Sequence, residues 1–202
     1  MIIKICGITR LEDALACADE GAGAVGFIFV RSSPRYIAPA DAAEIIRKLP
    51  PFICPVGVFV NELRENILAT IERTGIRCLQ LHGEEPPADT VGYAVPVIKS
   101  FHVSDEFDPS VMASYPLPAH LLDTSVAGMH GGTGKTFDWR KAVEASRFGR
   151  IILSGGITPE NVAAASRTVR PHAIDVSSGV ESSAGIKDRV RIRNLFENLR
   201  NA

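Results

Sequence analysis

The segments Leu153-Ser-Gly-Gly-Ile-Thr-Pro159 and Asp175-Val-Ser-Ser-Gly-Val-Glu181 each place glycine and small polar residues directly after a short apolar run. Glycine lets backbone N–H groups approach an anion closely, and a following helix N-terminus adds partial positive charge. Either segment alone is better explained as a tight strand-to-helix turn. Together they occupy the last two turns of the chain, which form the common phosphate site of eightfold barrels. The residues predicted to contact a phosphate are Gly155, Gly156, Ser178 and Gly179.

Eight short apolar runs rich in Ile and Val recur along the chain. They are too continuous for half-exposed strands, so they predict strands that are buried on both faces of a parallel sheet. The runs cover residues 2–5, 24–29, 55–60, 78–81, 95–98, 120–122, 150–153 and 173–176.

Most of these runs are followed by a helical pattern, and such alternation is typical of a parallel α/β fold. The helical patterns cover residues 11–20, 39–49, 63–74, 139–145, 159–169 and 187–199. In the last of them Val190, Leu195 and Leu199 fit an apolar stripe. Asn61 and Thr158 are expected N-caps, Pro159 suits a first helical position, and Gly75 suits a C-cap.

The predicted fold is one domain, residues 1–202, with the architecture of a (β/α)8 TIM barrel. Eight strands in 202 residues leave about 25 residues per unit, near the compact limit for this barrel, so some helices must be short. Residues 84–94, which include Pro86 and Pro87, are the expected weak helix. The alternative is an open doubly wound sheet, which usually has fewer strands and carries its signature glycines after the first strand.

Composition excludes several classes of function. The chain is 46% hydrophobic and carries 22 Lys and Arg against 23 Asp and Glu, without a basic stripe, so nucleic acid is not an expected partner. The N-terminus lacks a charged leader, and no apolar run approaches the roughly 18 residues of a membrane span, which predicts a cytoplasmic protein. The four cysteines have no paired metal-ligand spacing, so free thiols and no metal are expected.

A third glycine cluster, Gly128-Met-His-Gly-Gly-Thr-Gly-Lys-Thr136, resembles a nucleotide-binding P-loop but fails its spacing. The first glycine that the P-loop requires falls on Met129. A mobile loop that closes over substrate and excludes water fits better, with an ordinary surface loop as the alternative. The predicted lid residues are Gly131, Gly132, Thr133 and Gly134.

Residues at the carboxyl ends of barrel strands carry the chemistry of such enzymes. Cys6 ends the first strand, where an exposed thiol whose pKa is lowered by a helix N-terminus or a cation could act as a base. Asp123 ends the sixth strand, where a partly desolvated carboxyl group can keep its proton and act as an acid. The structural alternatives are an inert buried cysteine and an aspartate that pairs with a neighbouring cation.

Three further strand-end residues are candidates for substrate binding. Arg35, in the loop after the second strand, could hold a carboxylate through two hydrogen bonds, or could be solvated. His82 could make a polar contact at the barrel mouth, or could be a satisfied structural histidine. Asp175 could contact a hydroxyl or amine, or could cap its own turn. Cys17, Cys54 and Cys78 lie within helix or strand patterns and are expected to pack in the core.

The ordered set of strand-end motifs resembles the phosphoribosylanthranilate isomerase family of tryptophan biosynthesis. The resemblance spans nearly the whole chain, with one motif for each strand end. The motifs are Lys4-Ile-Cys-Gly-Ile-Thr, Gly26-Phe-Ile-Phe with Ser33-Pro-Arg, Val56-Gly-Val-Phe-Val-Asn, Gln80-Leu-His-Gly, Leu121-Leu-Asp, Gly131-Gly-Thr-Gly with Phe137-Asp-Trp, Leu153-Ser-Gly-Gly-Ile and Asp175-Val-Ser-Ser-Gly-Val-Glu.

The resemblance implies a cofactor-free isomerase that converts N-(5-phosphoribosyl)anthranilate into 1-(2-carboxyphenylamino)-1-deoxyribulose 5-phosphate by an Amadori rearrangement. It implies Cys6 as general base, Asp123 as general acid, Arg35 as the anthranilate carboxylate contact, and the two glycine turns as the phosphate site. The expected partner is this small molecule, and the protein is expected to be a homodimer or a monomer. The alternatives are another sugar-phosphate barrel enzyme and a non-catalytic phosphate-binding barrel.

Overall fold

The computed structural model describes residues 1–124, 136 and 138–202. Its eight main strands form a closed, all-parallel barrel in sequence order, in which the first strand pairs with both the second and the eighth. The predicted (β/α)8 fold is therefore confirmed. The strands are β1 Ile2–Cys6, β2 Ala24–Ile28, β3 Cys54–Phe59, β4 Cys78–Leu81, β5 Val97–Val103, β6 Ala119–Thr124, β7 Ile151–Leu153 and β8 Ala173–Val176, followed by a hairpin of β9 Glu181–Ser183 and β10 Ile186–Lys187.

Six α-helices lie in the described part of the chain, and two of the strand connections there carry only 3-10 turns. The β4–β5 connection contains the turn Pro87–Thr90, which confirms the weak helix predicted for residues 84–94. The β5–β6 connection contains the turn Pro109–Ser114. The helices are α1 Leu11–Glu20, α2 Pro39–Ile46, α3 Arg64–Thr74, α4 Trp139–Ala145, α5 Val162–Val169 and α6 Arg189–Arg200.

Alternate residues of each strand contribute to two separate cores, because successive side chains point to opposite faces of a strand. In β1, Ile3 and Ile5 pack in the large core beneath the helices. The barrel interior is a smaller cluster of mostly small and branched side chains: Ala24, Val56, Cys78, Ile98, Ala119, Leu121, Ile152 and Ala173. Of the cysteines predicted to pack in the core, Cys17 and Cys78 are buried and Cys54 is half-buried.

The fifth strand has different bounds from the predicted ones. We predicted it to cover residues 95–98, but the strand runs from Val97 to Val103 and Lys99 lies within it. The Lys99 ammonium group is buried, 3.2 Å from the Glu85 carboxylate, and it donates hydrogen bonds to two backbone carbonyls. Burial lowers the pKa of Lys99, against the opposing effect of Glu85. A lysine can therefore lie inside a buried strand when a carboxylate and backbone carbonyls pair with its ammonium group.

Several helix ends also differ from the predicted ones. The N-caps are Leu63 for α3 and Asn161 for α5, so the predicted caps Asn61 and Thr158 were wrong, and Pro159 precedes α5. Asn61 instead joins two loops, because its side-chain oxygen accepts a hydrogen bond from the backbone of Glu84. The predicted C-cap Gly75 is confirmed by its left-handed φ of 74°. In α6, Leu195 is buried as expected, but Val190 is 63% exposed and does not belong to the stripe.

Candidate active site

A cavity of about 740 Å³ lies at the carboxyl ends of the strands. Because all eight strands run parallel around a closed barrel, their carboxyl ends meet at one mouth. Eight of the predicted site residues line this cavity: Cys6, Arg35, His82, Asp123, Gly155, Gly156, Asp175 and Ser178. The predicted lid residues Gly131 to Gly134 lie outside the described residues.

Cys6 lies at the end of β1, but its environment differs from the exposed, activated thiol that we predicted. Its side chain is only 5% exposed, and burial raises the pKa of the thiol. Lys4 and Lys187 act in the opposite direction, since a nearby positive charge stabilises a thiolate. The Cys6 sulfur fits because Gly26 lies beside it on β2, where a Cβ would come within 2.7 Å of the sulfur.

Lys4 and Asp175 form a buried ion pair below Cys6. The Lys4 ammonium group lies 2.8 Å from the Asp175 carboxylate, and both side chains are at most 5% exposed. Burial alone would lower the pKa of Lys4, but the larger combined effect of Asp175 and Cys6 brings this pKa above its ordinary value. The lysine therefore stays charged. Ser154 donates a hydrogen bond to the second oxygen of Asp175. Asp175 thus contacts an ammonium group and a hydroxyl of the protein itself, and it orders the floor of the cavity.

Asp123, at the carboxyl end of β6, contacts His82 across the barrel mouth. Its Oδ2 lies 3.3 Å from His82 Nε2, and its Oδ1 accepts a hydrogen bond from the backbone N–H of Thr124. The side chain is 8% exposed and faces the cavity. Gly155 permits the β7 turn to approach this carboxyl group, because a Cβ on Gly155 would lie 2.9 Å from Asp123 Oδ1.

Gln80 determines which nitrogen of His82 carries a proton. The Gln80 Nε2 lies 2.9 Å from His82 Nδ1, whereas Gln80 Oε1 is buried without a hydrogen-bond partner among the described residues. Amide oxygen and nitrogen are exchanged by a simple flip. With the oxygen facing His82, Nδ1–H donates to Gln80 and Nε2 becomes an acceptor for Asp123. This tautomer suits an aspartic acid that holds a proton.

Arg35 is ordered by Glu181, a residue that we did not predict to take part in the site. The Glu181 carboxylate accepts hydrogen bonds from Nε and Nη2 of Arg35 and from the buried Lys187. Burial raises the pKa of Glu181, but Arg35 and Lys187 together bring it below its ordinary value. Glu181 occupies the Nε–Nη2 edge of the guanidinium group, which leaves the Nη1–Nη2 edge for another acceptor.

The two glycine turns meet at the cavity as predicted, although Gly179 has a different position from the others. Gly155 and Gly156 line the cavity with left-handed φ angles of 82° and 64°, which favour glycine. Gly179 is buried, and a Cβ there would lie 1.9 Å from the carbonyl oxygen of Ile157. Its role is to let the second turn pack against the first.

We expect Gly179→Ala to separate the two turns. Overpacking costs roughly 1 to 3 kcal/mol in typical cores, and the contact here is with rigid backbone. The variant should therefore unfold at a lower temperature than the wild type and bind inorganic phosphate less tightly. Thermal unfolding and phosphate titration measure both effects, with the exposed Ser182→Ala as the control. Unchanged stability and unchanged phosphate binding would contradict this role for Gly179.

The residues that we missed share simple signals. Lys4 precedes Cys6 by two positions and therefore faces the same side of β1, and Glu181 ends the second glycine motif. His102 lies beside Asp123 in the β5–β6 register. His82, His102 and Asp123 bring three potential metal ligands together, although the sequence had suggested no metal site.

The comparisons with known proteins agree on one family. Residues 3–198 match the family model described as N-(5'-phosphoribosyl)anthranilate (PRA) isomerase. A protein of that name from Pelobacter propionicus is 51% identical over 194 residues, which cover 96% of this chain and 93% of the relative. None of the helices in the described part of the chain has the length and apolarity needed to cross a membrane.

Solved structures show the same similarity. The crystal structure of phosphoribosyl anthranilate isomerase from Thermotoga maritima has a TM-score of 0.92 and 45% identity, with all of both chains covered. A second structure of such an isomerase, in complex with reduced 1-(o-carboxyphenylamino)-1-deoxyribulose 5-phosphate, has a TM-score of 0.89 and 43% identity, again over all of both chains. The chain therefore belongs to the N-(5'-phosphoribosyl)anthranilate isomerase family.

Proposed function

We propose that this chain isomerises N-(5-phosphoribosyl)anthranilate to 1-(2-carboxyphenylamino)-1-deoxyribulose 5-phosphate, with Asp123 as general acid and Cys6 as general base. The observation that carries this proposal is that Cys6 and Asp123 line the same cavity as both glycine turns and Arg35. Cys6 ends β1 and Asp123 lies on β6, which are not adjacent in the barrel. The acid and the base can therefore approach a bound ribosyl group from different directions.

The first step opens the furanose ring. The bond between C1 and the ring oxygen breaks, the anilino nitrogen forms a double bond to C1, and the ring oxygen takes a proton from Asp123. With Gln80 in the flipped orientation, His82 Nε2 accepts a hydrogen bond from the protonated acid before the transfer, across a distance of 3.3 Å. His82 is thus proposed as a polar contact of the reacting groups.

The second step removes the C2 proton. Cys6 as thiolate takes this proton and leaves an enolamine, which tautomerises to the C2 ketone when C1 receives a proton. Burial keeps Cys6 protonated at rest, while Lys4 and Lys187 favour the thiolate that the reaction needs. The buried Lys4–Asp175 pair holds one of these two charges in place beneath the thiol.

The substrate is proposed to bind by its two charged ends. Gly155, Gly156 and Ser178 line the cavity where the two turns can donate backbone N–H groups to the phosphate, and Gly179 packs these turns together. Arg35 lies on the cavity wall with its guanidinium group ordered by Glu181, and it is proposed to bind the anthranilate carboxylate. The reacting ribosyl carbons then lie between these two anchors.

We expect Arg35→Lys to weaken substrate binding more than it slows catalysis. Lysine cannot keep the planar contact with Glu181 while it binds a carboxylate. Loss of a charge-assisted hydrogen bond costs about 1.5 to 3 kcal/mol, which corresponds to a KM roughly 10- to 100-fold higher. Steady-state kinetics measure this change, with the exposed Arg31→Lys as the matched control. An unchanged KM would contradict the assignment of Arg35.

Turnover tests the proposed function against its two alternatives. Purified protein is mixed with freshly prepared phosphoribosylanthranilate, and the loss of anthranilate fluorescence is followed together with product formation. We expect consumption that depends on the amount of protein and yields the ketone. Binding without turnover would favour a phosphate-binding barrel, and turnover of only a different sugar phosphate would favour another barrel enzyme.

We further propose that residues 1–202 act as one domain in the cytoplasm on this small-molecule substrate. All four cysteines are free thiols, which suits a reducing compartment.

The oligomeric state stays a prediction, with a homodimer and a monomer as the two possibilities. Phe52, 96% exposed in the loop before β3, would be covered only in an assembly that uses this end of the barrel.

A further inference from the structure

Three neighbouring strands bring two imidazoles and a carboxylate together at the barrel mouth. His82 follows β4, His102 lies on β5 and Asp123 lies on β6, where it is the register partner of His102. One potential ligand atom from each residue lies within 4.8 Å of the other two. The two histidine rings are 5.4 Å apart between centroids, at an angle of 77°.

The geometry of this cluster is close to that of a transition-metal site. Zinc bonds to nitrogen and carboxylate oxygen are about 2.1 Å long, so two ligands of a tetrahedral zinc ion lie roughly 3.4 Å apart. His82 Nε2 and Asp123 Oδ2 are already 3.3 Å apart. The three ligand atoms lie within 4.8 Å of one another, so side-chain rotations that shorten the longest separation by up to about 1.4 Å bring in the third ligand. Asp123 and His82 line the open cavity, which leaves room for water at a fourth position.

Gln80 completes the arrangement from behind His82. A metal-ligating histidine usually donates its other ring N–H to an oxygen, which fixes the tautomer. Gln80 Nε2 lies 2.9 Å from His82 Nδ1, and the buried Gln80 Oε1 has no partner among the described residues, so a flip of the amide gives this oxygen the ring N–H as its partner. With that oxygen facing Nδ1–H, the lone pair of His82 Nε2 points towards Asp123 and is available to a metal.

We propose that His82, His102 and Asp123 form an inhibitory site for a divalent transition metal of the Zn²⁺ class. Two imidazoles and one carboxylate favour zinc, cobalt or nickel over magnesium and calcium, which prefer oxygen ligands. A bound metal occupies the carboxylate of Asp123 and excludes the proton that the acid must deliver. Metal binding therefore switches the enzyme off without contact with Cys6.

The test uses the full-length protein after treatment with chelator. Co²⁺ is titrated as a spectroscopic probe, Zn²⁺ is titrated by calorimetry, and turnover is measured in parallel. We expect one metal per chain, visible d–d absorption without a sulfur-to-cobalt charge-transfer band, loss of turnover as the site fills, and recovery on addition of chelator. The spectroscopic readout does not depend on the enzyme's substrate, so it tests metal binding separately from the proposed function, on which only the inhibition rests.

Variants of His102 distinguish a metal site from a histidine cluster that serves only catalysis, because His102 has no part in the proposed reaction. His102→Gln and His102→Asn should keep basal turnover, bind metal at least tenfold more weakly, and resist Zn²⁺ inhibition. The exposed His172→Gln is the matched control and should behave like the wild type. Absence of metal binding, a charge-transfer band that indicates a thiolate ligand, or unchanged affinity in both His102 variants would overturn the proposal.

Discussion

Cys6→Ser is expected to lose nearly all turnover while it keeps most of its substrate affinity. A positioned general base contributes roughly 10²- to 10⁴-fold to a rate, and the serine hydroxyl is far less acidic than a thiol. The anchors for the phosphate and the carboxylate remain in this variant, so binding should change little. Steady-state kinetics and calorimetric binding of a product analogue measure the two effects separately.

The matched control for this variant is Cys54→Ser, which changes a half-buried thiol of the barrel interior that does not line the cavity. The pH dependence adds a second check. Because burial raises the pKa of Cys6, the thiolate fraction grows as the pH rises, and wild-type kcat/KM should increase towards alkaline pH on this account. A Cys6→Ser enzyme with near wild-type turnover would show that another group removes the C2 proton.

Asp123→Asn is expected to have a loss of similar size, because the amide cannot deliver a proton to the ring oxygen. We expect turnover to fall by roughly 10²- to 10⁴-fold. The amide keeps the size of the carboxyl group and can still contact His82, so the fold and substrate affinity should be preserved. Steady-state kinetics measure the loss, and the exposed Asp19→Asn is the control for a general effect of charge removal. Turnover close to that of the wild type would remove Asp123 from the mechanism.

The fold could be predicted from the sequence because its signals are local and repeated. Each strand is a short apolar run, and the closed barrel follows from eight such runs that alternate with helices and loops. The same logic located the cavity, since Cys6 and Asp123 directly follow two of the runs and the carboxyl ends of parallel strands must meet. The turn at Gly155 and Gly156 could be predicted from its glycines, because its left-handed φ angles favour a residue without a Cβ.

The remaining features depend on contacts between residues far apart in the chain. The sequence placed Cys6 at a strand end but did not show that its thiol is buried, which reverses the expected direction of its pKa shift. The pairing of Arg35 with Glu181 spans 146 positions, and the Lys4–Asp175 pair spans 171. The end of β5 was misplaced because Lys99 looks like a strand terminus until Glu85 is found beside it.

The central claim is that Cys6 removes the C2 proton of a substrate whose ring Asp123 has opened. Its most direct test is a single-turnover measurement, with enzyme in excess, of phosphoribosylanthranilate that carries either hydrogen or deuterium at C2. The account predicts that deuterium slows the chemical step of the wild type, and that Cys6→Ser binds the substrate but consumes it at least about 10²-fold more slowly. Consumption by Cys6→Ser at the wild-type rate would contradict the account.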